Sequence, residues 1–333
     1  MGELLQLDDE GVHEVGPAIN WNESRYVDFY DTATGVGGFL RIGNRPNEGR
    51  AEMSVAINLP DGRNAFFFER APIAANTLRS GNQEWEVISP FRETIVRYEG
   101  PVLLLDDAWT LTDPKSAFAT APRADAKIEL NVASFGLESV MGQDQDQHHL
   151  IFLPGQADWH YQHLCRSIGT VTVGDKTWSV DGRGAKDHSW GPRNWHAKTY
   201  LRWLIGMVDD DFGFLLTRAV GPTKQTRSGC VWQDGQFHIV DTFEMRNSYA
   251  EAPHFELCST ELTIHSGQRR WKATGQPKAW VPLRHRQHGA DGKEATLRIV
   301  KSPTAWTIDG RDGAGMCEYH DLMVDGRPVA LHD

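Results

Sequence analysis

Short segments in which apolar and polar residues alternate recur along the whole chain. Residues 26–31, 51–59 and 126–132 show this pattern, and Pro60-Asp-Gly-Arg forms a turn signal between two such segments. Alternation with a period of two indicates strands with one buried and one solvated face. Many short strands joined by Gly, Asp and Asn turns, without a long amphipathic helical pattern, predict an all-β fold. We expect antiparallel β-barrels or sandwiches with few short helices.

The length of the chain predicts two such units. It has 333 residues, and domains usually contain about 100–200. The second half repeats the alternating pattern of the first. We therefore predict an N-terminal β-domain over residues 1–165 and a C-terminal β-domain over residues 166–333. The least regular stretch, residues 137–159, and residues 113–119 are predicted to hold only short helices.

Charge and composition narrow the class of partner. The formal net charge of -11 disfavours nucleic acid, because such a protein repels phosphate backbones. The start of the sequence has no secretory signal pattern, and no apolar run approaches the ~20 residues of a membrane span. Four widely spaced cysteines predict reduced thiols. We therefore expect a cytoplasmic protein without a membrane span; the sequence leaves open whether it forms a homodimer.

One dense group of chemically active residues stands out between residues 182 and 196. If this segment is extended, Asp187 and Ser189 share one face, whereas His188 and Trp190 share the other. A carboxyl or imidazole group in a dry pocket can transfer protons near neutral pH. An indole can stabilise positive charge. The alternative is a hydrogen-bonded cluster that only fixes the crossing between the two domains.

The heptad Asp187-His-Ser-Trp-Gly-Pro-Arg, preceded by Gly182-x-Gly, resembles the Asp-His-x-Trp-Gly signature of the carotenoid hydratase (hydroxyneurosporene synthase) and AttH-like group. The segment that begins at Trp21 and the closing Gly313-Ala-Gly-Met-Cys-Glu-Tyr resemble a bacterial branch of that group, to which fungal Diels–Alderases are related. The resemblance implies tandem lipocalin-like domains with a cavity for an apolar ligand at their junction. It places the heptad in the C-terminal domain, at that junction.

The resemblance also implies roles for individual residues. Asp187 and His188 are the predicted catalytic acid–base residues, and Trp190 and Arg193 are predicted to line the site. Further substrate-binding candidates are Trp195, Glu23 and Glu318. No metal site is predicted, although His160 and His163 have a helical ligand spacing.

The function that follows is a cofactor-independent hydratase, lyase or isomerase for an isoprenoid, steroid-like or aromatic molecule. Two alternatives remain open. One is a non-catalytic carrier of an apolar ligand, because a fold does not determine a function. The other is a Diels–Alderase-like cyclase that acts by folding its substrate. Asp187 is the discriminating residue, since only the first function depends on its carboxylate.

Overall fold

The computed structural model describes residues 4–288 and 294–333, and antiparallel strands dominate both ranges. The first sheet takes up the alternating segments of the first half of the chain. Its strands are β1 (Trp21–Tyr30), β2 (Gly37–Arg45), β3 (Arg50–Asn58), β4 (Asn64–Pro72), β5 (Arg79–Ser80), β6 (Gln83–Ser89), β7 (Glu93–Leu105), β8 (Arg123–Ser134), β9 (Trp159–Val173) and β10 (Lys176–Pro192).

The first sheet closes on itself. Its strand order is β4-β3-β2-β1-β10-β9-β8-β7-β6-β5, and β4 also pairs with β7. In that closing pair Ala65 lies opposite Leu104. Closure removes exposed hydrogen-bonding edges, which is the advantage of a barrel over an open sheet.

The second sheet is built from the rest of the chain, in the order β14-β13-β12-β11-β20-β19-β17-β16-β15, with β18 paired to β19 and β21 paired to β20. Its strands are β11 (Tyr200–Asp209), β12 (Phe212–Val220), β13 (Gln225–Gln233), β14 (Gln236–Val240), β15 (Thr242–Tyr249), β16 (Leu257–Ser266), β17 (Arg269–Pro277), β18 (Val281–His288), β19 (Glu294–Ile308), β20 (Arg311–Val324) and β21 (Arg327–Pro328).

Helices are few and short, as predicted. The α-helices in the described ranges are α1 (Pro114–Thr120) and α2 (Gln145–Ile151). Asp113 and Asp144 cap their N-termini by accepting hydrogen bonds from Ser116 N and Gln147 N. Single 3₁₀ turns occupy Leu7–Glu10, Pro46–Glu48, Ala108–Thr112, Leu137–Ser139 and Trp195–Ala197. Among the described residues no helix has both the length and the apolarity needed to cross a membrane.

The structure confirms the all-β fold with two antiparallel sheets. The first sheet continues through Pro192, and the second begins at Tyr200. The heptad therefore lies at the end of the first sheet, on β10 and the residue that follows it, and not in the second sheet. Residues 159–192 repeat the alternating pattern of both halves, so the sequence pattern alone could not assign them to one sheet. The division into two folding domains stays a prediction.

Each sheet turns one face toward the other sheet. On β1, Tyr26 packs into a core shared with the second sheet, whereas Val27 and Phe29 pack into a core within the first sheet. On β11, Trp203 joins the shared core and Leu204 joins a core within the second sheet. Strand alternation thus creates three apolar layers, and the middle layer lies between the two sheets.

The four cysteines are unpaired. Cys165, Cys230 and Cys317 are buried and Cys258 is exposed. Burial raises the pKa of the Cys165 thiol, which makes that group a small apolar residue rather than a nucleophile.

Candidate active site between the two sheets

Strand β10 positions the heptad, and two glycines determine its path. A Cβ atom at Gly184 would lie 2.2 Å from the backbone oxygen of Asp28, so only glycine permits β1 and β10 to approach so closely. Gly191 has φ of 111°, and a Cβ atom there would lie 2.7 Å from the Asp158 carboxyl. These contacts explain the Gly182-x-Gly and Trp-Gly elements that surround Asp187.

The heptad divides between the two faces of β10. Asp187 lies opposite Tyr26 of β1 and Gln162 of β9, and all three side chains face the second sheet. His188 lies opposite Arg25 and faces away from the second sheet. The alternation that the sequence predicted is therefore present, and it separates the two residues predicted to act together.

A cavity of about 490 Å³ lies between the two sheets. This volume is within the range of small-molecule sites. Both sheets and the connections at α1 and α2 contribute to its wall. The apolar part of the wall consists of Phe39, Phe66, Phe68, Leu111, Phe118, Phe152, Leu201, Trp203, Leu283 and Ile299.

Asp187 meets a histidine in this cavity, but it is His160 of β9. The Nε2 atom of His160 lies 3.2 Å from Oδ2 of Asp187. The His160 ring stacks on Phe152, with centroids 3.8 Å apart. Among the described residues, neither ring nitrogen has an aligned hydrogen-bond partner. Burial lowers the pKa of His160, against the raising effect of Asp187, so the ring is neutral near pH 7.

Three other predicted binding residues reach the cavity. Arg193 and Trp195 line it just after β10 ends, and the guanidinium carbon of Arg193 lies 4.5 Å from the Trp195 ring centroid. Arg193 also donates a hydrogen bond to Ser189 Oγ at 2.8 Å. Glu318 of β20 lines the opposite wall and pairs with Lys301 and His320. Both carboxylate oxygens of Glu318 are therefore paired within the protein. We assign Glu318 a structural role in this wall.

Some cavity groups were missed from the sequence. Tyr26 lines the cavity with its hydroxyl unpaired, and Asp28 lies one step further along the same face of β1. Burial raises the pKa of Asp28 to about 7 although Ala185 N donates a hydrogen bond to it. Lys198 is buried in the cavity wall. The alternating pattern of residues 26–31 places Asp28 on the same strand face as Tyr26. The pattern alone does not show that this face is buried against the second sheet.

His188, Glu23 and Trp190 form a different cluster, on the face of the first sheet that points away from the second sheet. The Nε2 atom of His188 lies 2.7 Å from Glu23 Oε1, and Trp190 stacks on His13 at 3.7 Å. None of these four residues lines the cavity. The structure thus brings Asp187, Arg193, Trp195 and Glu318 together and does not bring His188, Glu23 or Trp190 to them.

The donor atoms of His13, Glu23 and His188 lie within 4.8 Å of one another, so we asked whether they could hold a metal ion. Glu23 Oε1 already accepts hydrogen bonds from both rings and from Arg25 Nη2 at 3.0 Å. A guanidinium at that distance repels a cation and occupies the carboxylate. The set therefore fits a hydrogen-bonded cluster that ties the N-terminal segment to the first sheet. His160 and His163 cannot share an ion either, because they lie on opposite faces of β9.

We expect Glu23→Gln to lower the free energy of unfolding by about 1–3 kcal/mol. The NH₂ group of the new amide would face groups that now donate hydrogen bonds to the carboxylate, and it cannot accept them. Burial would raise the pKa of Glu23, but its hydrogen bonds to His13 and His188 hold that pKa below its ordinary value. Chemical denaturation measures the change. Glu99→Gln, at a surface pair with Lys127, is the matched control. An equal change in both variants would contradict a stabilising role for the Glu23 cluster.

Buried histidines predict loss of stability in mild acid. Burial lowers the pKa to about 3 for His148, to about 4 for His188, and to about 3 for both His285 and His320. In the unfolded chain the histidine pKa is about 6.5. Below that pH the unfolded chain binds more protons than the folded chain, and this difference stabilises the unfolded state. The free energy of unfolding is therefore undiminished by these histidines above about pH 6.5. It falls toward pH 4 by about 1.4 kcal/mol per unit for each such histidine. Asp28, with its raised pKa, acts in the opposite direction.

Thermal unfolding between pH 7.5 and 4.5 tests this expectation. His148→Phe should flatten the decline in Tm with falling pH, because it removes one buried ring that must remain neutral. The exposed His332, replaced by Asn, is the control. A Tm that stays constant from pH 7 to 5 would contradict the assignment of these rings as buried and neutral.

Comparisons with known proteins agree with the fold. A family model described as "Domain of unknown function (DUF7064)" matches residues 6–323. No curated protein shows significant sequence similarity to the chain. The chain is similar in structure to a protein from Nitrosomonas europaea described as an AttH, with a TM-score of 0.56 and 14% identity. That match covers 97% of this chain and 97% of the other.

Two further solved structures share the fold. CghA, solved with Sch210972, matches with a TM-score of 0.55 and 9% identity over 92% of this chain and 89% of its own. Kievitone hydratase from Nectria haematococca matches with a TM-score of 0.50 and 8% identity, over 97% of this chain and 93% of its own. The sequence identity is 14% or less in all three matches. At such low identity they show a shared fold and no more.

Proposed function

Because the chain belongs to the DUF7064 family over almost its whole length, we propose one function for the whole molecule. It is a cofactor-independent enzyme that transfers protons on a hydrophobic small molecule held between the two sheets. The reaction is hydration, elimination of water or double-bond isomerisation. The observation that carries this proposal is the contact of Asp187 with the buried, neutral His160 inside an otherwise largely aromatic and aliphatic cavity.

The wall of the cavity defines the substrate class. Phenylalanine side chains from β2, β4, α1 and the end of α2 face it from the first half of the chain, and Leu201 and Trp203 face it from the second sheet. Burial of apolar surface against such a wall supplies affinity at about 25 cal/mol per Å². The substrate is therefore an isoprenoid, steroid-like or aromatic molecule, oriented by the polar and charged groups of the wall.

The proton-transfer step follows from the states of the two side chains. Neutral His160 accepts a proton, and the Asp187 carboxylate stabilises the imidazolium that forms, at 3.2 Å. In hydration the proton comes from water while the water oxygen bonds to an alkene carbon, and His160 returns the proton to the neighbouring carbon. In isomerisation the proton leaves one carbon and returns to another. Both sequences balance without a redox partner.

This proposal revises the partner of Asp187. The resemblance grouped Asp187 with His188, whereas the geometry favours His160 as the acid–base group and Asp187 as the residue that orients and stabilises it. Arg193 and Trp195 bind substrate in this proposal. Glu318 fixes the wall, and Glu23, His188 and Trp190 contribute to stability.

Incubation of the protein with a hydrophobic extract of the source organism in D₂O tests the function. We expect mass spectrometry to show a compound that gains or loses one water, or an isomer that carries deuterium. Ser54→Phe and Thr217→Phe place a ring in the cavity from the first and the second sheet, and each should abolish the conversion.

Two results would favour the alternatives. A compound that copurifies with the protein and returns unchanged after long incubation would indicate a carrier. Ring formation without deuterium incorporation, lost in the two phenylalanine variants, would indicate a cyclase that acts by folding its substrate. Either result would contradict proton transfer by His160.

A further inference from the structure

Three cationic side chains surround one indole ring in the cavity wall. The guanidinium carbons of Arg41 and Arg193 lie 5.3 Å and 4.5 Å from the centroid of Trp195, and Lys198 Nζ lies 5.4 Å from it. All four residues line the cavity. A cation gains about 0.5–2 kcal/mol from an aromatic face, which does not offset the burial of three like charges together.

Among the described residues, none of these cations forms a hydrogen bond with a carboxylate. Within the described ranges, the Lys198 side chain makes no hydrogen bond or ion pair, and the Arg193 guanidinium hydrogen-bonds only to Ser189 Oγ, at 2.8 Å. Arg41 lies 3.9 Å from Glu52, and its Nη2 atom is buried without an acceptor. Lys198 is only 6% exposed, and burial together with Arg193 lowers its pKa to about 7. Buried donors without acceptors are costly, so the group is incomplete without an acceptor.

The whole cavity shows the same imbalance of charge. Seven lysine and arginine side chains line it, against three carboxylates. The chain as a whole carries a net charge of -11, so the positive lining is not a consequence of composition. A positive region inside an acidic protein concentrates anions at that place.

We propose that Arg41, Arg193 and Lys198 bind the carboxylate of an otherwise hydrophobic substrate. This inference rests on the proposed function and narrows its substrate class to an apolar carboxylic acid. Two guanidinium groups and an ammonium match the oxygens of one carboxylate. A dianion such as a phosphate fits less well, because Asp187, Glu52 and Glu318 line the same cavity.

The site also places the acid group in reach of the acid–base pair. Arg193 donates a hydrogen bond to Ser189 Oγ, and Ser189 lies directly opposite His160 in the pairing of β10 with β9. Carbon atoms close to the bound carboxylate are thus the ones presented to His160. The cations would stabilise negative charge that develops on the carboxylate side as a proton is removed from a neighbouring carbon.

Binding of cis-parinaric acid and its methyl ester, measured by fluorescence at pH 7, tests the inference. The wild-type protein should bind the acid at least about tenfold more tightly than the ester, since one charge-assisted contact is worth that ratio. Arg193→Met and Lys198→Met should each weaken binding of the acid more than binding of the ester and so reduce the preference. Lys127→Met, on the exposed surface of β8, is the matched control.

Calorimetry adds a readout that a structural role would not change. Binding of the acid should take up part of a proton near pH 7.5 in the wild-type protein, because the carboxylate raises the pKa of Lys198. Lys198→Met should remove this uptake. Dodecyl phosphate that binds more tightly than dodecanoate would overturn the choice of a carboxylate.

The outcomes separate this inference from the proposed function. Equal binding of acid and ester, lost in Ser54→Phe, would overturn the carboxylate site and leave the hydrophobic cavity intact. A preference for the acid that survives in both methionine variants would overturn the assignment to these cations. Failure of both probes to bind the wild-type protein would contradict the proposed function itself.

Discussion

Replacement of Asp187 by asparagine should lower turnover by about 10²–10⁴-fold, the usual contribution of a residue in acid–base catalysis. The amide keeps the size of the side chain but cannot stabilise the imidazolium of His160, whose Nε2 atom lies 3.2 Å from the carboxylate. Because the apolar wall is unchanged, ligand affinity should stay within a few-fold. Steady-state kinetics on the compound identified from the extract, together with its Kd, measures both quantities.

Asp181 provides the matched control for this variant. It lies on the same strand, but its side chain is 47% exposed and pairs with Arg166. Asp181→Asn should therefore retain the turnover of the wild-type protein. Turnover in Asp187→Asn equal to that in Asp181→Asn would exclude a catalytic role for the Asp187 carboxylate.

The largest effect on stability should come from Arg202→Met, with a loss of about 3–5 kcal/mol in the free energy of unfolding. Arg202 is fully buried on β11 and forms a double hydrogen bond with Asp321, at 3.1 Å and 3.0 Å. It also donates to the backbone oxygen of Ala330 at 2.7 Å. Its removal leaves the Asp321 carboxylate buried without its charged partner.

Urea denaturation of single and double variants isolates this pair. Arg202→Met combined with Asp321→Leu should be less destabilising than the sum of the single changes, because no lone charge remains buried. Arg246→Met removes an exposed pair with Glu261 and should cost less than about 1 kcal/mol. Additive effects of the Arg202 and Asp321 changes would contradict a coupled ion pair.

The all-β fold could be predicted from local sequence patterns, because the alternation of apolar and polar residues and the turn residues indicate strands directly. Those signals do not report which strands pair. Residues 176–192 therefore looked like part of the second half, whereas β10 pairs with both β1 and β9 of the first sheet. Strand pairing depends on contacts between residues that are far apart in the sequence. The alternating pattern carries no information about these contacts.

The site could be predicted in part for the same reason. The dense segment between residues 182 and 196 led to Asp187, Arg193 and Trp195, which do meet in the cavity. His160 could not be found, because its contact with Asp187 depends on the register of β9 against β10. The resemblance paired Asp187 with His188 as neighbours in sequence, although neighbours on a strand point to opposite faces.

The position of the acid–base site between the two sheets can be tested by comparing two histidines on opposite faces of the first sheet. His160→Asn and His188→Asn should be assayed for conversion of the same hydrophobic compound, with rates expressed per folded protein. We expect His160→Asn to be inactive and His188→Asn to be less stable but active. An active His160→Asn beside an inactive His188→Asn would contradict the placement of the acid–base site between the two sheets.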